Sequence, residues 1–105
     1  MKEITVQELK RMRDANEAFQ LIDVREPHEA EIAAIGGQLI PMGEVMDHVD
    51  EISKDKMVVV HCRSGARSGT VIQALEKQFG FTNLYNLKGG ILAWAKEIDS
   101  SVATY

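Results

Sequence analysis

Residues 57–68 read MVVVHCRSGARS, an apolar run followed by a short polar loop. The run at 57–60 predicts a strand in the middle of a parallel sheet, because such strands are buried on both faces and are apolar throughout. The loop begins at Cys62, and a helical pattern begins at about Ser68. Ligands of open α/β sheets bind beyond the carboxyl ends of the strands, so this loop lies where a functional site is expected.

The segments on either side of this stretch alternate short apolar runs with helical patterns, which predicts an α/β fold with a parallel sheet. Thr5 and Glu8 form a capping-box pattern that predicts a helix start at Thr5. The expected strands are 19–24, 38–40, 57–60 and 83–87. Further helices are expected at 28–34, around 45–49, at 68–79 and from 90 onward.

Apolar spacing assigns the faces that these helices bury. The helix around 45–49 is expected to bury Val45, Met46 and Val49. The helix that begins near Ser68 is expected to bury Val71, Ile72, Leu75 and Phe79, and Gly80 follows its end. The tail from Asp99 is polar and is expected to fray.

Size and composition indicate one globular domain, and 105 residues fit a single domain spanning 1–105. The formal net charge of -4 indicates neither a nucleic-acid nor a membrane partner. Residues 1–13 lack the apolar segment of a secretory signal, and no apolar run approaches membrane-spanning length. The single cysteine cannot form an internal disulfide, so we expect a protein of the reducing cytoplasm. For a chain of this size we expect a monomer.

The loop at 62–67 has the features of a site for a reactive anion. A tight turn between a strand and a helix points successive backbone N–H groups into one concavity, and Gly65 permits the backbone angles that such a turn needs. The helix N-terminus adds about half a positive charge. Arg63 and Arg67 flank Cys62, and an arginine about 6 Å away contributes up to about 3 kcal/mol at an effective dielectric constant of about 20. We therefore predict a lowered pKa for the Cys62 thiol and a thiolate at neutral pH.

A single cysteine is more often a small buried apolar residue than a nucleophile. Here it follows a predicted strand and precedes a loop with the pattern Arg-Ser-Gly-Ala-Arg and a helix. That context favours a nucleophile at Cys62.

Three separate motifs, in order, give the chain a family resemblance. The loop at 62–67 resembles the six-residue active-site loop of rhodanese homology domains. Residues 21–26, LIDVRE, are similar to the Asp-Val-Arg-Glu signature of that family, and residues 87–94, LKGGILAW, to its closing Gly-Gly and Trp segment. The segments 25–29 and 35–41 most resemble rhodanese domains fused behind activating enzymes of ubiquitin-like proteins. The resemblance implies an open parallel sheet of about five strands with helices on both faces.

One segment departs from the family. Many relatives have Gly-His-Ile-x-Gly-Ala after the first helix that follows the Asp-Val-Arg motif, whereas residues 34–38 here read AIGGQ. A histidine is missing from that connection. We interpret this as structural variation that leaves the cysteine loop intact.

The resemblance implies a thiosulfate-type sulfurtransferase that uses Cys62 as its catalytic residue. The Cys62 thiolate would attack the outer sulfur of a small anionic donor such as thiosulfate and form a persulfide, which a thiol, cyanide or a protein acceptor then discharges. Backbone amides of the loop would hold the persulfide, without a metal or an organic cofactor; the loop residues are Arg63, Ser64, Gly65, Ala66 and Arg67. A cysteine desulfurase or a sulfur-acceptor protein stays open as a partner, because a protein persulfide would use the same loop.

Several polar residues are candidates for support of this loop. The resemblance implies that Asp23, Arg25 and Ser68 lie behind it, with Asp23 bracing the loop through an arginine or backbone amides. The alternative for Asp23 and Arg25 is a surface ion pair at a strand end, which would contribute little to stability. Glu29 is expected to pair with Arg25 in a structural role.

The histidines, Trp94 and two methionines have simpler explanations. His61 is adjacent to Cys62 on a strand, so its side chain is expected on the opposite face. His28 and His48 lie near no cysteine or carboxylate at ligand spacing, so no metal site is expected. Packing accounts for the three apolar candidates, Trp94, Met42 and Met46.

Other functions remain as alternatives. Cysteine phosphatases place five residues between cysteine and arginine, whereas four separate Cys62 from Arg67, and the smaller loop should suit a sulfur atom better than a phosphate group. Arsenate reduction normally needs a second redox cysteine or an outside thiol, and the chain has one cysteine. A non-catalytic sulfur carrier or interaction domain is the third alternative, although inactive relatives usually lose the cysteine.

Overall fold

A parallel sheet of five strands forms the centre of the protein in a computed structural model that describes residues 1–105. The strands lie in the order β1-β5-β4-β2-β3, and every neighbouring pair is parallel. Their bounds are Glu3–Ile4 (β1), Phe19–Asp23 (β2), Gln38–Leu39 (β3), Met57–His61 (β4) and Leu84–Leu87 (β5).

Four α-helices connect or follow the strands, and two short 3-10 helices, Met42–Asp47 and Val49–Glu51, lie between β3 and β4. None of these helices combines the length and the apolar character that crossing a membrane would take. The α-helices are Val6–Asp14 (α1), Pro27–Ile32 (α2), Ala66–Phe79 (α3) and Gly90–Glu97 (α4).

Strand β4 is central because its valines pack on both faces of the sheet. Val58 and Val60 belong to the core cluster that contains Ile72 and Leu75 of α3. Val59, which points the other way, belongs to a second cluster with residues of α1 and α4, including Leu9, Ile91 and Trp94. The predicted α/β class, with about five parallel strands and helices on both faces, is confirmed.

The carboxyl ends of the central strands meet at one edge of the sheet. Strands β2 and β4 are in register, so Asp23 at the end of β2 lies beside His61 at the end of β4. Cys62 follows β4 directly, and Gly89 and Gly90 follow the end of β5. The chain therefore brings the three segments with family motifs to the same edge.

Local capping signals were correctly predicted from the sequence. The Thr5 hydroxyl accepts a hydrogen bond from the Glu8 backbone N–H at 3.1 Å, and Glu8 completes the capping box. Gly80 ends α3 with φ of 70°, a left-handed conformation that glycine adopts without steric strain. Pro27 is in the first turn of α2, as expected.

The structure corrects five details of the predicted elements. Helix α3 begins at Ala66, and its last residue, Phe79, is 39% exposed because it lies one turn beyond the buried face. The segment around 45–49 forms two 3-10 helices instead of one helix, and Met46 is 38% exposed while Val45 is buried. The tail does not simply fray, since the Tyr105 side chain hydrogen-bonds to Arg25.

Candidate active site

Cys62 lies in the turn between β4 and α3, almost completely buried at 1% exposure. Its Sγ accepts a hydrogen bond from the Gly65 backbone N–H at 3.1 Å and lies 3.3 Å from the Ser68 hydroxyl oxygen. The chain can turn this tightly because Gly65 has φ of 110°, which residues with a Cβ rarely adopt. The cysteine loop, residues 62–67, therefore curls its backbone around the sulfur.

A second glycine, Gly90, allows α4 to pack closely against the backbone of the cysteine loop. The N–H groups of Ile91 and Leu92 donate to the carbonyls of Cys62 and Arg63, both at 3.1 Å. A Cβ on Gly90 would lie 2.4 Å from the Arg63 carbonyl oxygen. The Gly-Gly motif thus permits the close approach that ties the loop to the helix after β5.

Hydrogen bonds lower the pKa of the Cys62 thiol below its usual value. Burial opposes ionisation and is the largest single influence, but the Ser68 hydroxyl and the backbone N–H groups of Ser68, Gly65 and Ser64 together outweigh it. The predicted direction agrees with this result. The predicted contribution of the loop amides is confirmed, the Ser68 hydroxyl was not expected, and the main influences on the thiol do not include Arg63 or Arg67.

Both loop arginines form hydrogen bonds with groups other than Cys62. Arg67 makes a bidentate ion pair with the Glu29 carboxylate, at 2.7 and 2.8 Å. Arg63 donates to the main-chain carbonyl of Tyr105, and its guanidinium lies 5.1 Å from the Tyr105 ring centroid. The Arg67 hydrogen bonds are the main reason that the pKa of Glu29 lies far below its usual value.

The structure corrects the expected partner of Glu29. Its carboxylate pairs with the loop residue Arg67, whereas Arg25 reaches only the Glu29 backbone carbonyl, at 3.4 Å. Glu29 is 7% exposed, so its carboxylate is shielded from solvent. Glu29 is thus the carboxylate that holds the far end of the cysteine loop.

Asp23 and Arg25 form a buried ion pair behind the loop. Their side chains are 4% and 0% exposed, and Arg25 Nη2 lies 2.7 Å from Asp23 Oδ2. Arg25 also donates to the Ala33 carbonyl at 2.8 Å and to the Tyr105 hydroxyl at 3.0 Å. The surface alternative is wrong, and the Asp23 carboxylate hydrogen-bonds to Arg25 and not to the cysteine loop.

Tyr105 links these charged groups, and sequence reasoning missed it. Its hydroxyl donates to Glu29 Oε1 at 2.9 Å while it accepts from Arg25. A polar tail that ends in tyrosine gave no local signal for this contact. We refer to five side chains as the ion-pair cluster: Asp23, Arg25, Glu29, Arg67 and Tyr105.

Ser68 and Asn86 lie on the other side of the sulfur. Ser68 was expected behind the loop, but its hydroxyl is beside Sγ and lies 2.6 Å from Asn86 Oδ1. Asn86 Nδ2 donates to the Gly65 carbonyl at 3.0 Å. Asn86 was missed in the sequence, although an asparagine near the end of an otherwise apolar predicted strand was a usable signal; the structure buries it.

His61 is fully buried and its imidazole belongs to the opposite face of β4 from Cys62, as strand alternation predicts. Burial lowers its pKa, with partial opposition from the Asp23 charge 3.7 Å from Nε2. His61 is therefore neutral at pH 7 and is not a base for Cys62. No group of three or more His, Cys, Asp or Glu side chains is placed to hold a metal ion.

The chain matches one protein family along most of its length. The profile of the rhodanese-like domain family matches residues 5–97. The putative sulfurtransferase YtwF of Bacillus subtilis is 40% identical over 98 residues, which cover 92% of this chain and 93% of that protein. The crystal structure of a rhodanese-like domain protein from Staphylococcus aureus superposes with a TM-score of 0.84 and 30% identity, covering 100% of this chain and 99% of that one.

A larger relative contains a similar segment. The probable adenylyltransferase/sulfurtransferase MoeZ of Mycobacterium tuberculosis is 36% identical over 105 residues, which cover 97% of this chain. The match covers 26% of that protein, so the chain spans about a quarter of its length.

Proposed function

Because this chain belongs to the rhodanese-like domain family, we propose that it is a sulfurtransferase that carries sulfur as a persulfide on Cys62. The observation that supports this most strongly is a single buried cysteine whose Sγ is surrounded by the N–H groups of its own loop. The names of its relatives support a sulfurtransferase or sulfur-carrier role, and the persulfide chemistry is our proposal for how these residues perform it.

In the first half-reaction, the Cys62 thiolate attacks the outer sulfur of thiosulfate. A Cys62–sulfur bond forms, the sulfur–sulfur bond of the donor breaks, and its electron pair leaves with sulfite. The persulfide that remains carries the negative charge on its outer sulfur. In the second half-reaction a thiolate or cyanide attacks that outer sulfur, and Cys62 leaves as a thiolate, so the enzyme returns to its starting state.

The cysteine loop supplies what both steps need. Its N–H donors stabilise a negative charge next to Cys62 without any rearrangement, because the backbone already has the required shape. We propose that the amides of residues 63–67 hold the outer sulfur of the persulfide. No metal or organic cofactor enters this proposal.

The surroundings of the sulfur favour sulfur transfer over phosphate ester hydrolysis. Four residues separate Cys62 from Arg67, and Cys62 is 1% exposed, so the concavity suits a single sulfur atom better than a tetrahedral phosphate group.

The charges around the loop suit an anionic donor but do not separate a small anion from a protein persulfide. Arg63 and Arg67 make a small anion such as thiosulfate a suitable donor, and a protein persulfide from a cysteine desulfurase is a second donor for the same sulfur. We propose that the protein works as a monomer and passes sulfur to a thiol or to a sulfur-acceptor protein.

The test is to incubate the protein with thiosulfate and to measure its intact mass before and after cyanide. We expect a gain of one sulfur atom, loss of that mass on addition of cyanide, and release of thiocyanate. Cys62→Ala is the matched control and should gain nothing. If neither thiosulfate nor a cysteine desulfurase loads sulfur onto the folded protein, the proposal is wrong, and hydrolysis of an aryl phosphate is the next activity to measure.

A further inference from the structure

The Ser68 hydroxyl has more acceptors than it has protons. Its oxygen lies 2.6 Å from Asn86 Oδ1, 3.3 Å from Cys62 Sγ and 3.3 Å from the Gly65 carbonyl. A serine hydroxyl can donate only one hydrogen bond at a time. The Gly65 carbonyl already accepts from the Gly69 N–H at 3.1 Å and from Asn86 Nδ2 at 3.0 Å, so the competition is between Asn86 and the sulfur.

The orientation of the Asn86 amide follows from its partners. A backbone carbonyl can only accept, so the nitrogen of the amide must face Gly65 and its oxygen must face Ser68. Amide oxygens also can only accept, and at 2.6 Å the Ser68 proton has to lie between the two oxygens. In that arrangement Ser68 turns a lone pair, not a proton, toward Cys62.

We propose that Ser68 and Asn86 form a two-position hydrogen-bond switch that follows the charge on Cys62 Sγ. When Sγ is neutral, the Ser68 hydroxyl donates to Asn86, and a thiol proton can be donated to Ser68. When Sγ is a thiolate, the hydroxyl rotates and donates to the sulfur. The switch exchanges hydrogen bonds only, so no proton leaves Ser68 and no covalent bond changes.

Asn86 therefore makes the thiolate less favourable than the rest of the loop would allow. It is 5% exposed, so rotation of Ser68 leaves its Oδ1 buried without a donor, which is unfavourable. Formation of the persulfide moves the charge to the outer sulfur, and Ser68 can return to Asn86. Asn86 is thus a positioning residue that favours the sulfur-loaded state; this last step rests on the proposed function, whereas the thiol–thiolate step does not.

The other ionisable groups around the sulfur are the same in both positions of the switch. Arg67 interacts electrostatically with Cys62, and its charge is balanced by Glu29. No carboxylate hydrogen-bonds to Sγ. The groups that surround the loop are His61 on β4, Arg63 in the loop, Arg67 on α3, Glu29 on α2, Tyr105 of the tail and the buried Asp23–Arg25 pair.

Substitutions at Asn86 test the switch through the pKa of the Cys62 thiol, measured from the pH dependence of alkylation and from thiolate absorbance. Asn86→Leu keeps the side-chain size and frees Ser68 for the sulfur, so we expect the pKa to fall and the thiolate to become about tenfold more abundant at pH values below it. Asn86→Asp should raise the pKa, because a carboxylate holds the Ser68 proton more strongly and repels the thiolate. A residue that merely tethers the loop would shift the pKa upward in both variants, and that result would overturn the proposal.

Two further variants complete the experiment. In a Ser68→Ala background, which itself should raise the pKa, Asn86→Leu should have no effect on it; a shift as large as in the wild type would contradict the switch. Asn83→Ala is the control for loss of an asparagine amide, since Asn83 donates to the backbone carbonyls of Ser53 and Lys56 at the opposite end of β5 and the substitution should leave the pKa unchanged.

The sulfur-loaded half of the switch has its own measurement. At a pH above the thiol pKa and a fixed ratio of thiosulfate to sulfite, the ratio of persulfide to thiolate should be about tenfold lower in Asn86→Leu than in wild type, because the substitution stabilises the thiolate and not the loaded state. If no variant loads sulfur, the proposed function fails while the pKa series still decides the switch. If loading is normal and unchanged in Asn86→Leu, the sulfur-loaded half of the switch is wrong.

Discussion

The cysteine loop and the ion-pair cluster lie side by side, but they are built in opposite ways. The loop is a continuous segment of six residues, and the bond from Gly65 to Cys62 spans three positions in the chain. The ion-pair cluster joins residues 38, 76 and 80 positions apart. The first therefore depends on local backbone geometry, and the second on how strands, helix and tail pack together.

The largest effect on stability is expected from a substitution at Arg25, in the ion-pair cluster. Arg25→Ala leaves the Asp23 carboxylate buried without its partner, and removal of one member of a buried pair typically lowers the free energy of unfolding by about 3 to 5 kcal/mol. Urea unfolding at pH 8 measures this change in the free energy of unfolding. At that pH His61, which lies 3.7 Å from Asp23, is neutral and does not supply a positive charge in place of the arginine.

Lys10→Ala is the control for this loss. Lys10 pairs with Asp14 at 2.8 Å, but these side chains are 49% and 64% exposed, so the loss should stay below about 1 kcal/mol. Equal losses for Arg25→Ala and Lys10→Ala would mean that the ion-pair cluster does not stabilise the fold.

The cysteine loop is tested next by Gly90→Ala. The added Cβ would lie 2.4 Å from the Arg63 carbonyl, and Gly90 has φ of 59°, so both the clash and the left-handed backbone disfavour alanine. We expect a loss of about 2 to 4 kcal/mol in the free energy of unfolding and slower sulfur loading, because the loop must move away from α4. Thermal unfolding and the mass assay measure the two effects.

Gly43→Ala is the matched control, because a Cβ there meets nothing within 4 Å. It should leave stability and loading close to wild type. If Gly90→Ala behaved in the same way, the approach of α4 to the loop would not be a constraint on the site.

The same contrast explains what could be predicted from the sequence. The apolar run of β4, the Thr5 cap and the turn at Gly65 depend on neighbours in the chain, so periodicity and residue type were sufficient to identify them. The fold followed, because alternating strands and helices leave few ways to bury both faces of a sheet.

The partners of the polar side chains could not be predicted, because hydrogen bonds between distant segments depend on register and on side-chain direction. Arg67 was expected to act on Cys62, yet Glu29, 38 positions away, takes its guanidinium. Asn86 reaches Ser68 only because β5 lies beside β4 in register, with Asn86 opposite Val60. Local sequence context and family resemblance predicted a nucleophile at Cys62, but neither showed which groups lie around its sulfur.

The smallest effect is expected where the two regions meet, at the Glu29–Arg67 pair. Glu29→Gln removes the carboxylate that neutralises Arg67 and keeps an oxygen that can accept one of its two hydrogen bonds. Removal of a negative charge about 8 Å from a bound anion, at an effective dielectric constant of about 40, favours that anion by about 1 kcal/mol. We therefore expect the KM for thiosulfate to fall about fivefold, with little change in kcat.

Two control variants separate this effect from a general loss of charge or of packing. Glu31→Gln makes the same change on the exposed side of α2 and should leave KM within about twofold, because solvent screens that charge. Tyr105→Phe removes the hydroxyl that donates to Glu29 but keeps the carboxylate, so KM should again stay near the wild-type value. A KM that rises in Glu29→Gln would show that the carboxylate serves to hold Arg67 in place for the donor. In that case the ion-pair cluster would be part of the binding site itself, and the cysteine loop alone would not account for recognition of an anionic donor.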